Sequence, residues 1–228
     1  MKPLLCFLLI SCSLAAQDSP SGSQSSQRIE ITLERQVGEI WKAVDPGFVF
    51  EKGDRIRFRF RSNFDGFLYV MDLGTSGDYS LLFPREETGR ENKIVSGKEY
   101  QIPATQAYQF RVSGPPGHDV VYWMMSPLAL ASGSTGFIPP ALPKAKQPPK
   151  TLIPRCDDSI FRARNECIDS SAGLRGISDA DEVPDNLKSV PRMNSRELII
   201  MRKEESSLIS SPVPLTGPVI YQFRLAHK

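Results

Sequence analysis

Arg55, Arg57, Arg59 and Arg61 alternate with Ile56, Phe58 and Phe60. In an extended strand this period puts all four guanidiniums on one face, successive side chains about 6.5–7 Å apart. Such a row suits oxyanions, because each planar fork can grip two oxygens of a phosphate, sulfate or carboxylate. The competing reading is a solvated face whose arginines pair with acids of neighbouring strands, such as Asp72 or Glu99.

The remaining candidate chemistry is thinner. Of four cysteines, Cys6 and Cys12 lie within residues 1–16, read below as an export signal, leaving Cys156 and Cys167. An even pair in an exported chain reads as a disulfide. Closing a loop of about a dozen residues would contribute roughly 3 kcal/mol. A redox or metal pair fits worse, since the chain has no Cys-x-x-Cys and its histidines are His118 and His227. No metal or other cofactor is expected. Asp157, Asp158, Asp179, Asp181, Glu182 and Asp185 form an acidic scatter. It lacks the glycine and terminal glutamate of a calcium loop and reads as solvated. His118 follows Gly117 in a turn and reads as surface. The nucleophile-elbow, Ser-x-x-Lys and His-Glu-x-x-His patterns are missing, so a hydrolase is the least supported class. Trp41, Tyr69, Tyr79, Tyr122 and Trp123 could line a ligand or glycan groove if several face outward; the competing reading is core.

The elements that would position these residues are strands. Gly53-Asp54 is a turn pair. Arg55 to Arg61 is a half-buried strand, and Asn63-Phe64-Asp65-Gly66 reverses the chain as a hairpin. Phe67 to Met71 is apolar on both faces and reads as a central strand. Gly74, Gly77 and Asp78 turn the chain into Tyr79–Phe83, which Pro84 ends. Further strands are expected at 28–33, 100–102, 108–112 and 120–125, with Trp41–Val44 and Phe48–Phe50 as a short pair. Spacing of about eight to twelve residues between turns argues for an antiparallel sandwich or barrel. The fold class is therefore all-β, a β-sandwich-like module with a proline-rich linker and a small disulfide-bearing C-terminal β segment.

Residues 1–16 read as an export signal, with Lys2 before the apolar run Leu4–Ile10 and small residues after it. Leu9-Ile10-Ser11-Cys12 is an alternative lipobox, which would anchor the protein through Cys12. Residues 17–27 are a Ser/Gln-rich leader, 28–130 the β module and 131–155 a linker bearing Pro139, Pro140, Pro143, Pro148, Pro149 and Pro154. Residues 156–228 hold the cysteine pair, one or two helical turns from Ser159 to Cys167, and strands at 196–203 and 218–226. About 75 residues with one disulfide is marginal for independent folding, so these strands either stand alone or pair back onto the first sheet. The net charge of +2 is no signature of nucleic-acid binding or of a membrane surface.

One stretch goes further. Phe50, Gly53-Asp54, Asn63, Asp65 through Val70, Gly74, Gly77 and Leu81 through Pro84 follow one another in an order that resembles the bacterial domain of unknown function family 4384. Phe110–Gly117 and Val121–Pro127 fit that family's closing hairpin. The resemblance covers about residues 30–130 and implies an envelope-associated or sensory β-module, often attached to other domains; it implies no catalytic residues. The expectation is a non-enzymatic binding or assembly module, periplasmic or extracellular, with an envelope protein as partner. A glycan or small-ligand sensor is the alternative.

Overall fold

A computed structural model of the protein describes residues 26–129, 167–177, 198–203, 205–212 and 214–228. The expected export signal with Cys12, the expected proline-rich linker, Cys156, the acidic scatter from Asp157 to Asp185 and the expected helical turns up to residue 166 lie outside the described residues. The Cys156–Cys167 bridge therefore stays an expectation.

Every regular element among the described residues is a strand. In chain order they are β1 (Gln27–Val37), β2 (Ile40–Val44), β3 (Val49–Phe50), β4 (Arg55–Ser62), β5 (Gly66–Leu73), β6 (Tyr79–Phe83), β7 (Lys93–Ile94) and β8 (Glu99–Ile102). They continue with β9 (Phe110–Arg111), β10 (Gly117–Ser126), β11 (Gly173–Gly176), β12 (Ile199–Arg202), β13 (Ser207–Ser211) and β14 (Val219–His227). Two seven-stranded sheets result. The first has the order β12-β13-β1-β4-β8, with β2 on the far half of β1 and β9 on β4. The second has the order β11-β14-β10-β5-β6, with β3 on β14 and β7 on β5. All pairs are antiparallel except β3 with β14. No helix among the described residues is long and apolar enough to cross a membrane.

The alternation of β4 does what period 2 demands. Ile56, Phe58 and Phe60 are buried, and the arginines stand on the opposite face. The shared core centres on Trp123, whose ring meets Phe58 at 5.3 Å, Phe60 at 5.5 Å and Tyr221 at 6.2 Å. Burying each such ring is worth about 1.5–3 kcal/mol or more, before the entropy of ordering it. β5 is covered on both sides: Leu68 and Val70 face the shared core, Tyr69 and Met71 a second cluster. That second cluster adds Val120, Tyr122, Met124, Ile177 and Ile220, all buried.

Three expected pairings are corrected. Residues 63–65 do not make a hairpin, because β4 and β5 lie in different sheets. Had they paired, the arginine row would sit beside the apolar outer face of β5. Phe64 instead carries the chain across the core: its side chain is buried, and Ser62 Oγ donates to Phe64 O at 2.8 Å and accepts Phe64 N–H at 3.1 Å. Gly66 is required on arrival, since a Cβ there would lie 2.8 Å from Ser126 O. β9 and β10, the expected closing hairpin, also belong to opposite sheets. Trp41–Val44 pairs with β1, whereas Val49–Phe50 pairs with β14. Strand β1 begins at Gln27, so the leader is shorter than composition implied.

The C-terminal strands do pair back. β14 sits between β10 and β11 in the second sheet, and β13 lies against β1 in the first. Hydrophobicity explains the insertion: Tyr221, Phe223 and Leu225 face the shared core, with Ile220 on the other side. The described parts of 156–228 are thus structural members of one sandwich.

Candidate functional site

The arginine row lies on the outer face of the first sheet, opposite acids supplied by β1. Glu34 stands across from Arg57 and Glu30 across from Arg61. Glu34 is the hub. Its Oε2 accepts from Arg57 Nε and its Oε1 from Arg59 Nη1 at 3.2 Å, and its side chain is 6% exposed. Glu99 on β8 accepts from Arg59 Nη2 at 3.0 Å, while Arg57 Nη1 donates to Gln101 Oε1 at 3.2 Å. Arg57 also lies 4.5 Å over the Trp41 ring. The middle of the row is therefore a closed polar ladder. Asp72, expected as a cross-strand acid, belongs to β5 in the other sheet; Glu99 is a neighbour as expected.

The two ends of the row differ from its middle. Arg55 stands opposite Arg111, another cation, and donates to Gln36 Oε1 at 3.2 Å. Arg61 is 61% exposed and reaches Glu30 Oε2 only at 3.7 Å. Glu30 is shared with Lys203 Nζ at 3.2 Å and Ser206 Oγ at 3.2 Å. Partial burial opposes its ionisation, but the hydrogen bond and charge of Lys203, then Ser206 and Arg61, hold its carboxyl below the usual range.

Beyond Arg55 the β1–β2 hairpin projects past β4, whose register on β1 ends at Arg35. Val37 and Ile40 face each other across its tip, 44% and 57% exposed. Among the described residues β2 pairs only with β1, so its other backbone edge is open. β12, at the opposite side of the sheet, likewise exposes Ile199 and Met201.

A second group of polar residues ties the C-terminal part to the second sheet. His118 is not a surface turn residue; it lies in β10 with its side chain 5% exposed. Its Nε2 is 3.0 Å from Ser171 Oγ and 3.4 Å from Asp169 Oδ2, and Ser171 Oγ donates to Asp169 Oδ1 at 2.6 Å. A serine nucleophile needs the histidine's two nitrogens to divide the work, one facing serine and the other the carboxylate. Here both groups meet the same nitrogen, and the carboxylate holds the serine proton. The arrangement is a latch: Asp169 N also donates to Gly47 O at 2.8 Å, and Val49 N to Cys167 O at 2.8 Å.

Asp72 sits at the end of the shared core. Val121 stands opposite it, so Asp119, two residues away on the same face, is its diagonal neighbour. Burial first, and the Asp119 charge second, push its carboxyl well above the usual range. Asp72 Oδ1 is buried with no hydrogen-bond partner among the described residues. Asp119 Oδ1 accepts from Thr75 N at 2.8 Å and lies 3.3 Å from His227 Nε2.

The aromatic residues do not gather into an outward groove. Trp123 is in the shared core, Tyr69 and Tyr122 are buried in the second cluster, and Trp41 lies under Arg57. Among the described residues no group of three or more His, Cys, Asp or Glu is placed to hold a metal ion. Sequence reasoning missed Glu34, Arg28 and Lys203. The polar face of β1 carried the signal for Glu30 and Glu34, but only the pairing register assigns them to Arg61 and Arg57.

No curated protein and no solved structure matches this chain. Residues 49–128 match the family described as a domain of unknown function (DUF4384), bearing out the expected resemblance over that stretch. The match runs from β3 to β10 and supplies strands to both sheets. The rest of the described sandwich, β1, β2 and β11 to β14, lies outside it. The stretch that matches this family, residues 49–128, thus lies within a larger sandwich that its flanking strands complete.

Proposed function

We propose that this protein is an exported, non-enzymatic binding or assembly module of a bacterial cell envelope. It docks another envelope protein on the β1–β2 edge of the first sheet. The observation that carries this reading is the Val37–Ile40 pair, exposed at the tip of a hairpin whose outer edge is open. A partner strand added there would gain main-chain hydrogen bonds along β2 and bury both apolar side chains. Edges left unprotected in this way invite pairing, and exposed apolar residues on them favour it further. The basic and apolar run Lys2 to Ile10 supports export, with anchoring through Cys12 as the lipoprotein form of the same reading. A Cys156–Cys167 disulfide belongs to this proposal as the expected state outside the cytosol.

The middle of the arginine row is committed to Glu34, Gln101 and Glu99, so the partner contact is assigned to the row's Arg55–Arg111 end. The test is crosslinking in native envelopes, with the tagged protein purified and its adducts identified by mass spectrometry. One stoichiometric protein partner is expected, lost when Val37 and Ile40 are both changed to lysine at an unchanged thermal midpoint. A partner retained by that variant, or a free monomer throughout, overturns the edge assignment.

A further inference from the structure

At the other end of the same face the sheet forms a polar groove of about 400 Å³, lined by Arg28, Glu30, Arg61, Asn63, Lys203 and Leu208 among others. It lies nine residues along β1 from Val37, about 30 Å at the rise of an extended strand. Two strands and the turn after a third bring its charges together. Arg28 is on β1, Arg61 on β4, and Lys203 follows β12. Asn63 pins the corner: its Oδ1 accepts Arg28 N at 2.7 Å and its Nδ2 donates to Ser26 O at 2.9 Å.

Among the described residues the groove carries three cations, Arg28, Arg61 and Lys203, and one carboxylate, Glu30. Glu99, opposite Arg61, is engaged by Arg59 at 3.0 Å. The Arg28 guanidinium has no ion pair among the described residues, and Lys203 is 56% exposed. Among the described residues two positive charges thus remain without a counter-charge around a cavity wide enough for a small ligand.

We infer that this groove is a binding site for a doubly charged oxyanion, a phosphomonoester, carried by a free sugar phosphate or by a lipid headgroup. A phosphomonoester brings about −1.5 to −2 charges and three strong acceptor oxygens, matching the surplus and the three donors. The exposed setting keeps affinity modest and salt-sensitive, with a Kd of about 1 mM. The inference does not rest on the edge-docking reading.

The experiment follows backbone amide shifts of the intact exported protein during titration with inorganic phosphate and glycerol phosphate. Vesicles of phosphatidylcholine with and without phosphatidic acid form the second arm. Saturable shifts at Arg28, Asn63, Arg61 and Lys203, absent in Arg28→Gln with Lys203→Gln, are expected and assign a soluble ligand. Binding only to phosphatidic acid vesicles, lost in the same variant, supports the site with a headgroup as its source. Both residues have exposed side chains, so at neutral pH the variant should lose only the small contribution of the screened Lys203–Glu30 pair to its thermal midpoint, and it should keep the crosslink at the β1–β2 edge. No saturable response in either arm, or equal shifts at Arg55 and Arg111, overturns the inference.

Discussion

The two sheets share one core but differ in what they turn outward. The first presents a ladder of Arg57, Glu34, Arg59 and Glu99. The second presents Tyr69, Met71, Tyr122, Met124 and Ile220, all buried. A sheet with one polar face can stop at that face, whereas an apolar outer face has to be covered. The difference shows where the stabilising energy resides. Stability is concentrated on both sides of the second sheet and on the inner side of the first. The first sheet's outer face and edges carry the charged ladder and the exposed apolar tip on which the proposed partner contact rests.

The sharpest way to break this comparison is to truncate equivalent outward positions. Met124→Ala, on the outer face of the second sheet, should cost about 2–5 kcal/mol, as in a core. Chemical denaturation measures it, and a cost below about 1 kcal/mol would show that the outer cluster is not a second core. Glu34→Gln comes next. It leaves Arg57, 21% exposed, without its charged partner, while Arg59, 40% exposed, retains Glu99 and solvent. The expected loss is about 1–3 kcal/mol, below the full cost of breaking a buried pair because water screens the arginines. Arg61→Ala, at the open end of the same row, should change stability by less than about 0.5 kcal/mol.

Asp72 sharpens the comparison by pH. Its folded-state carboxyl titrates above the unfolded value near 3.8, so the native state holds the proton more tightly. That contribution is fully present below the unfolded value and is lost as pH rises through the folded one. Asp72→Asn should therefore stabilise the protein at neutral pH by about 1–3 kcal/mol, with the gain vanishing in acid. Thermal midpoints of both proteins across the range test this, and a gain independent of pH would contradict it. Glu30 runs the other way. Its lowered carboxyl contributes stability at neutral pH that is lost as pH falls through its folded value.

Much of this contrast was legible in the residues. Arg55 to Arg61 announces one wet and one dry face, and Phe67 to Met71 announces two dry ones. The same letters did not reveal that β4 and β5 lie in different sheets, because a three-residue turn can reverse a hairpin or cross between sheets. The buried Phe64 decides it, and burial is a tertiary property. Glu34 was invisible as a hub for a related reason: a cross-strand pair is defined by register between segments 23 residues apart. The latch of His118 with Asp169 and Ser171 joins residues more than 50 positions apart and has no local pattern at all. The place of β14 in the second sheet was open because Tyr221, Phe223 and Leu225 would suit an apolar face of either sheet.

The most direct test of the account places a photo-crosslinking amino acid at position 40, on the edge of the first sheet, or at position 80, exposed on β6 of the second. Both proteins are irradiated in native envelopes. The account predicts one protein adduct from position 40 and none from position 80. Adducts from position 80 alone, or a monomer recovered unchanged from both, would contradict it.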